Sequence, residues 1–134
     1  MKPSLALITL FLTSCIYDPV GDDRLKVVNQ SGYQIFVDYD ANSVPLYPSQ
    51  ITTETHLDHP VNDDDTTKLL EYSSKPWPQF FERNKKLNLF IYSIDSLEKY
   101  NSIDTLIKRK IYKKIAFSKN EIEKLNWIVV IKDQ

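Results

Sequence analysis

Two histidines, His56 and His59, stand three residues apart beside Asp58, a few residues before the run Asp63-Asp64-Asp65. Imidazole nitrogens and carboxylate oxygens hold zinc, and carboxylates alone suit calcium. His56, His59 and Asp63 are therefore the candidate metal ligands, and a metal held there would suit a small hydrolase that activates water. Three features weigh against this chemistry. The histidine pair lies in a proline-containing stretch, no thiol stands nearby, and the acidic run lacks the alternation and central glycine of a calcium loop. A solvated loop accounts for the same residues, so the expectation is no metal and no cofactor.

Other chemistries lack their residues. Gly21 and Gly32 are the only glycines, which leaves no material for a phosphate-cradling loop. There is no Gly-x-Ser-x-Gly elbow, and the two histidines sit in one segment far from any obvious serine and aspartate partners. No catalytic residue is assigned. Seventeen basic residues face 18 acidic ones, a formal net charge of −1, which does not suit a nucleic-acid binder. Lys108-Arg109-Lys110 with Lys113-Lys114 makes a local basic patch that could meet anionic sugars or lipid headgroups, or simply face solvent at a helix end. Tyr47, Tyr72, Trp77 and Phe80 could stack on sugar rings, although aromatic residues more often fill a core.

Cys15 is the only cysteine, so no internal disulfide can form. Before it runs Leu5-Ala6-Leu7-Ile8-Thr9-Leu10-Phe11-Leu12 behind the short positive start Met1-Lys2. This run is too short for a membrane-spanning helix, which needs roughly 20 apolar residues, and it fits the apolar region of a secretory signal. Leu12-Thr13-Ser14-Cys15 resembles the lipobox of bacterial lipoproteins. The resemblance implies that residues 1–14 are removed as a signal peptide. It also implies that Cys15 is lipidated and that its new amino group is acylated by fatty acids such as palmitate. Several acyl chains anchor stably where a single one holds only marginally. The expected partner is thus the lipid bilayer, reached through acylated Cys15. The place is the cell envelope, with the outer membrane preferred and the domain facing periplasm or cell surface. Three tripeptides, Asp65-Thr66-Thr67, Asp95-Ser96-Leu97 and Asp104-Thr105-Leu106, resemble the O-glycosylation acceptor of Bacteroides-type bacteria. Thr66, Ser96 and Thr105 are the candidate acceptors, with Thr66 preferred.

What remains after residue 14 is about 120 residues, one domain of ordinary size. Residues 15–24 read as the lipidated cysteine and a spacer, with Asp18, Asp22 and Asp23 close to the anchor, and 25–134 as a single globular domain. Leu25–Asn29 and Tyr33–Tyr39 are β-branched and aromatic-rich, and Gln30-Ser31-Gly32 between them predicts a β-hairpin. Residues 40–79, punctuated by five prolines, read as a long loop and the preferred contact surface. Within it Ile51–Leu57 alternates weakly, as an edge strand would, and Pro76–Phe81 reads as an aromatic lid. Lys86–Ile94 predicts a strand, Asp95 and Ser102 helix starts, and Ile111–Phe117 another strand. Ser118 with Glu121 makes a capping box, with Ile122 and Leu125 turned inward. Trp127–Ile131 is a continuous apolar run expected to be buried on both faces. The fold class is α+β, a single domain with an N-terminal hairpin, a mixed or antiparallel sheet, and two or three short helices in the C-terminal half.

The segment Leu89-Phe90-Ile91-Tyr92, then Asp95-Ser96-Leu97-Glu98-Lys99-Tyr100, then Ile111-Tyr112-Lys113-Lys114 and the Ser118 to Leu125-Asn126-Trp127 junction resembles the C-terminal part of small uncharacterised lipoproteins of Bacteroides-type bacteria. Members often continue into Tyr-Pro after the last strand, where this chain has Lys132-Asp133-Gln134. The resemblance implies an envelope location and transfers no activity and no site residue. The favoured function is a non-enzymatic binding or interaction module, with a glycan or an envelope protein as its further partner and no nucleic acid. The alternatives are a small metal-dependent hydrolase using the His56/His59 loop, or an accessory subunit of an outer-membrane complex.

Overall fold

A computed structural model describes residues 21–71 and 76–133, with the side chains of Leu70 and Glu71 excluded. The expected signal segment and Cys15 lie outside the described residues, as does Tyr72. The elements are β1 (Asp22–Gln30), β2 (Ile35–Asp40), α1 (Thr53–Asp58), β3 (Thr66–Glu71), α2 (Trp77–Arg83), β4 (Leu87–Ser93), α3 (Ile94–Tyr100), α4 (Ile103–Arg109), β5 (Lys113–Phe117), α5 (Lys119–Lys124) and β6 (Ile128–Lys132). The fold is α+β, as its sequence predicts. One sheet has the order β3-β1-β6 and is mixed, with β1 antiparallel to β3 and parallel to β6. The other has the order β2-β4-β5 and is antiparallel throughout. No described helix is long and apolar enough to cross a membrane.

The two sheets face each other across one core. Leu25, Val27, Leu69, Val129 and Ile131 of the first sheet meet Ile35, Val37, Leu87, Leu89 and Ile91 of the second, with Trp77 and Ile122 closing the ends. A second core lies on the far side of the second sheet. There Phe90 and Tyr92 pack beneath Ile94, Leu97, Ile103, Leu106 and Ile107 of α3 and α4. Side chains alternate across a strand, so β4 feeds both cores at once: odd residues face the first sheet and even ones the helices. Sheet, sheet and helices thus form three layers.

Several local expectations change. β1 and β2 do not form a hairpin. They belong to different sheets, and the turn at 31–34 carries the chain across the inter-sheet core. The cause is Asn29, which occupies an inward position in phase with Leu25 and Val27 and is fully buried. Its side-chain amide donates to the carbonyls of Tyr33 (2.8 Å), Val61 (2.9 Å) and Asn62 (3.0 Å), while its oxygen accepts from the Ser31 amide and hydroxyl. Val61 then bridges Ile35, so β2 meets the 61–65 segment at its start, not β1. β1 also begins at Asp22, inside the expected spacer, because Asp22 accepts from the Trp77 amide at 2.8 Å and pairs with Arg24 at 2.9 Å.

The expected loop 40–79 contains α1, β3 and the start of α2. Thr52 caps α1 by accepting from the Thr55 amide, which makes a helix of the expected edge strand. Pro76 and Pro78 sit at the N-cap and in the first turn of α2, where a missing N–H costs nothing. Trp77 is core, not lid: it is fully buried, donates its indole N–H to the Leu69 carbonyl at 3.2 Å and meets Tyr39 edge-on at 5.1 Å. β6 is buried on one face only, because its sheet is an outer layer, as the alternation of the central strand β1 also shows; Ile128 and Val130 point to solvent. Burial on both faces belongs to β4. Three helices follow β4, as expected. Ser93 takes the capping role expected of Asp95, Ser102 caps α4, and Ser118 with Glu121 completes the capping box. Leu125 follows α5 exposed while Ile122 is buried.

Two substitutions test this layering by chemical unfolding. Asn29→Ala removes five hydrogen bonds from a buried position and leaves the Ser31 amide without its acceptor, and should cost about 2–3 kcal/mol. Trp77→Ala should cost about 3–5 kcal/mol by leaving a cavity between the sheets. A loss under about 1 kcal/mol in either variant would mean that the residue does not support the core.

Candidate functional site

The second sheet carries polar residues on the face covered by helices. Asp38 is on this face of β2, beside Phe90 of β4 in register. From Asp40 the chain turns back over the sheet, and residues 45–51 roof a hollow of about 320 Å³. Its walls are Asp38, Tyr39, Asp40, Ser49 and Gln50 on the polar side, and Pro45, Leu46, Ile51, Phe90 and Ile107 on the apolar side. A concave, partly apolar hollow with a few converging polar groups is the usual form of a small-ligand seat.

The roof is pinned on both sides. At one end the Lys114 ammonium donates to the Ser43 carbonyl at 3.0 Å. At the other, the Ser49 amide donates to the Asp104 carboxylate at 2.8 Å, and the Ser49 hydroxyl donates to the Ile51 carbonyl. The Ile103 amide donates to the Thr53 hydroxyl at 3.0 Å, so the starts of α1 and α4 are locked together. The first turn of α4 thereby fixes both the loop and the helix that follows it.

Burial holds the Asp38 carboxyl above its ordinary range, and the Asp40 charge adds to the effect. The Tyr39 amide and the charge of His56 oppose it. Burial likewise raises the Tyr92 phenol, with the Asp38 charge as a further cause. Asp38 also borders a second hollow of about 340 Å³ on the other side of β2, lined by Phe36, Ile51, Thr55, His59 and Thr67 among others. A carboxyl displaced from its usual titration range in a cleft marks a functional-site candidate.

The candidate metal ligands are separated. His56 is fully buried in the last turn of α1, 4.1 Å from the Phe36 ring and edge-on to Tyr92 at 5.8 Å. Its Nδ1 lies 2.7 Å from the Thr52 carbonyl. A carbonyl only accepts, so Nδ1 is the donor in this bond, and Nε2 is buried without a hydrogen-bond partner. His59 is exposed, its Nδ1 bonded to the Thr55 carbonyl at 2.9 Å. Asp63 accepts from the Gly32 amide at 2.9 Å. Among the described residues no three His, Cys, Asp or Glu side chains are placed to share a metal ion.

The remaining candidates also scatter. Thr66 is exposed at the start of β3, in a paired strand and not in a free loop. Ser96 and Thr105 are half-buried in the first turns of α3 and α4, their amides donating to Ser93 and Ser102. Of the aromatic group, Tyr47 is exposed, Phe80 half-buried and Trp77 buried, so these do not share one surface. In the basic patch, Arg109 stacks over Tyr100 at 5.3 Å and Lys114 is held by Ser43, while Lys108 and Lys110 stay exposed. Asp38 is the residue missed in sequence. Its signal was an acid in alternation with Phe36 on a strand whose second face also needed a cover.

Asp38→Asn separates a buried carboxyl from a solvent-facing one. A folded-state pKa above the unfolded value means that native Asp38 contributes stability below the unfolded pKa and loses it as pH rises through the folded one. The variant should therefore melt higher than wild type at pH 7, and the gain should disappear below about pH 3.5, where the acid is protonated in both states. A gain independent of pH, or a loss at pH 7, would contradict this assignment. No protein-family model, no curated protein and no solved structure matches this chain, so its own residues alone define the site.

Proposed function

We propose that this protein is an envelope lipoprotein, tethered through acylated Cys15, whose domain is a binding module. The signal-like run before Cys15, the Leu12-Thr13-Ser14-Cys15 pattern and the single cysteine support the tether. Its resemblance to small lipoproteins of Bacteroides-type bacteria supports the same location. The outer membrane is the preferred membrane, and the domain faces the periplasm or the cell surface. The observation that carries the binding role is the pinned hollow above Asp38 and Phe90. A fixed roof keeps a seat open at no ordering cost when a ligand arrives. A wall of carboxylate, hydroxyl and amide groups beside Leu46, Ile51 and Phe90 suits a ligand with both hydroxyl and apolar faces, such as an envelope glycan. This reading is favoured over a metal-dependent hydrolase, because His56 and His59 point to different surroundings.

Two measurements test the two halves. Cys15→Ala should move the protein from the membrane pellet to the soluble fraction or leave it as uncut precursor, and acyl label should vanish from the mature band. Wild-type protein without acyl label would end the tether reading. For the hollow, a thermal-shift screen of envelope glycans should find a ligand that raises the melting temperature. A ligand at 100 times its Kd stabilises by about 2.7 kcal/mol. Gln50→Trp, which fills the hollow from an exposed position, should abolish that shift. A shift that survives this change places the ligand elsewhere.

A further inference from the structure

The loop that roofs the hollow also faces outward. Val44 is 61 % exposed, Leu46 47 % and Tyr47 57 %. The other exposed large apolar residues among those described, Tyr33, Leu125, Ile128 and Val130, belong to other segments. These three stand within four residues, around the buried Pro45. The loop is not loose: Lys114 holds it at Ser43 and Asp104 holds it at Ser49. Apolar side chains kept in water on a fixed backbone are a standing cost that a contact would remove.

The rim of this patch is cationic. Lys108 and Lys110 share a shallow apolar depression with Val44, Tyr47 and Tyr112. Lys110 ends α4 in the left-handed conformation, and both lysines are exposed. The carboxylates of Asp38 and Asp40 line the neighbouring hollow, which shares Pro45 and Ile107 with this depression. Aliphatic side chains, a tyrosine and long-stemmed lysines together match the boundary of a bilayer. There apolar groups enter the acyl region, the phenol stays at headgroup depth, and ammonium groups meet anionic headgroups.

We propose that Val44 and Tyr47, with Lys108 and Lys110, form a membrane-contact face that lays the domain on an anionic lipid surface. The proposal rests on the Cys15 anchor for its reach and adds which side of the domain docks. Asp22 stands seven residues after Cys15, at most about 25 Å of chain. A domain on so short a leash meets the surface at a high effective concentration, so a patch too weak to bind alone is enough to orient it.

The test uses the lipidated mature chain in vesicles of phosphatidylcholine, with or without phosphatidylglycerol. With Cys15 acylated, Tyr47→Cys or Gln30→Cys supplies one thiol for a nitroxide label. Residue 30 is exposed at the end of β1 in the first sheet, and its side chain leads away from the inter-sheet core. Collisions with oxygen and with a water-soluble nickel complex report depth. The label at 47 should lose most of its nickel contact when phosphatidylglycerol is present, while the label at 30 keeps it. Adding Lys108→Glu and Lys110→Glu should return the label at 47 to water while the protein still floats with the vesicles. A label at 47 open to nickel on floating protein overturns the docking face and leaves the anchor standing. Shielding that is equal without vesicles also overturns it, since a second copy or another protein then covers the patch. Protein that floats with neither vesicle removes anchor and docking face together.

Discussion

One buried amide decides how the two sheets are connected. The fully buried Asn29 side chain serves five hydrogen bonds, and its partners come from the turn after β1 and from residues 61–62. An unpaired amide in that position would cost more than any of its bonds contributes, so the network is all-or-none. Because those carbonyls must converge on Asn29, the chain after β1 cannot fold back as a neighbouring strand. It crosses to the other sheet and leaves β1 free to accept β3 and β6.

The second constraint is that β4 has no solvent face. Leu87, Leu89 and Ile91 complete one core, and Phe90 and Tyr92 complete the other. The strand beside it, β2, inherits a covered second face as well. Phe36 packs there, and Asp38 in the same alternation is forced into a half-buried place beneath the 45–51 roof. The hollow, the raised carboxyl and the pinned loop are thus consequences of a three-layer architecture. A two-layer version of the same sheets would expose Asp38 to water and leave nothing for the loop to roof.

Local chemistry was legible in the sequence where it closes on itself. The Ser118–Glu121 box, the Ser102 cap and the strands around Tyr39, Ile91 and Ile115 depend on neighbours a few residues away, and all are present. Pairing was not legible, because it depends on partners far along the chain. Gln30-Ser31-Gly32 has hairpin residues, yet the polar Asn29 in an apolar phase was the stronger signal. The apolar run at 127–131 suggested a doubly buried strand, but any strand of an outer sheet exposes half of its run. The prolines of 40–79 marked helix starts as well as turns. Of the candidate site residues, the histidines were visible as a pair but not as two surroundings, one ring cage and one exposed surface. Asp38 carried no motif, since its meaning comes only from what covers it.

The pairing of β1 with β6 has a consequence in time. Asp22–Gln30 precedes Ile128–Lys132 by roughly a hundred residues, and at about 5–20 residues per second several seconds of synthesis separate the two. Throughout that interval the central strand of the first sheet lacks one neighbour, and Val129 and Ile131 are missing from the inter-sheet core. Contacts so distant along the chain close late and slowly. The inter-sheet core therefore cannot be completed before Ile128–Lys132 is made, whatever the rest of the chain has already formed.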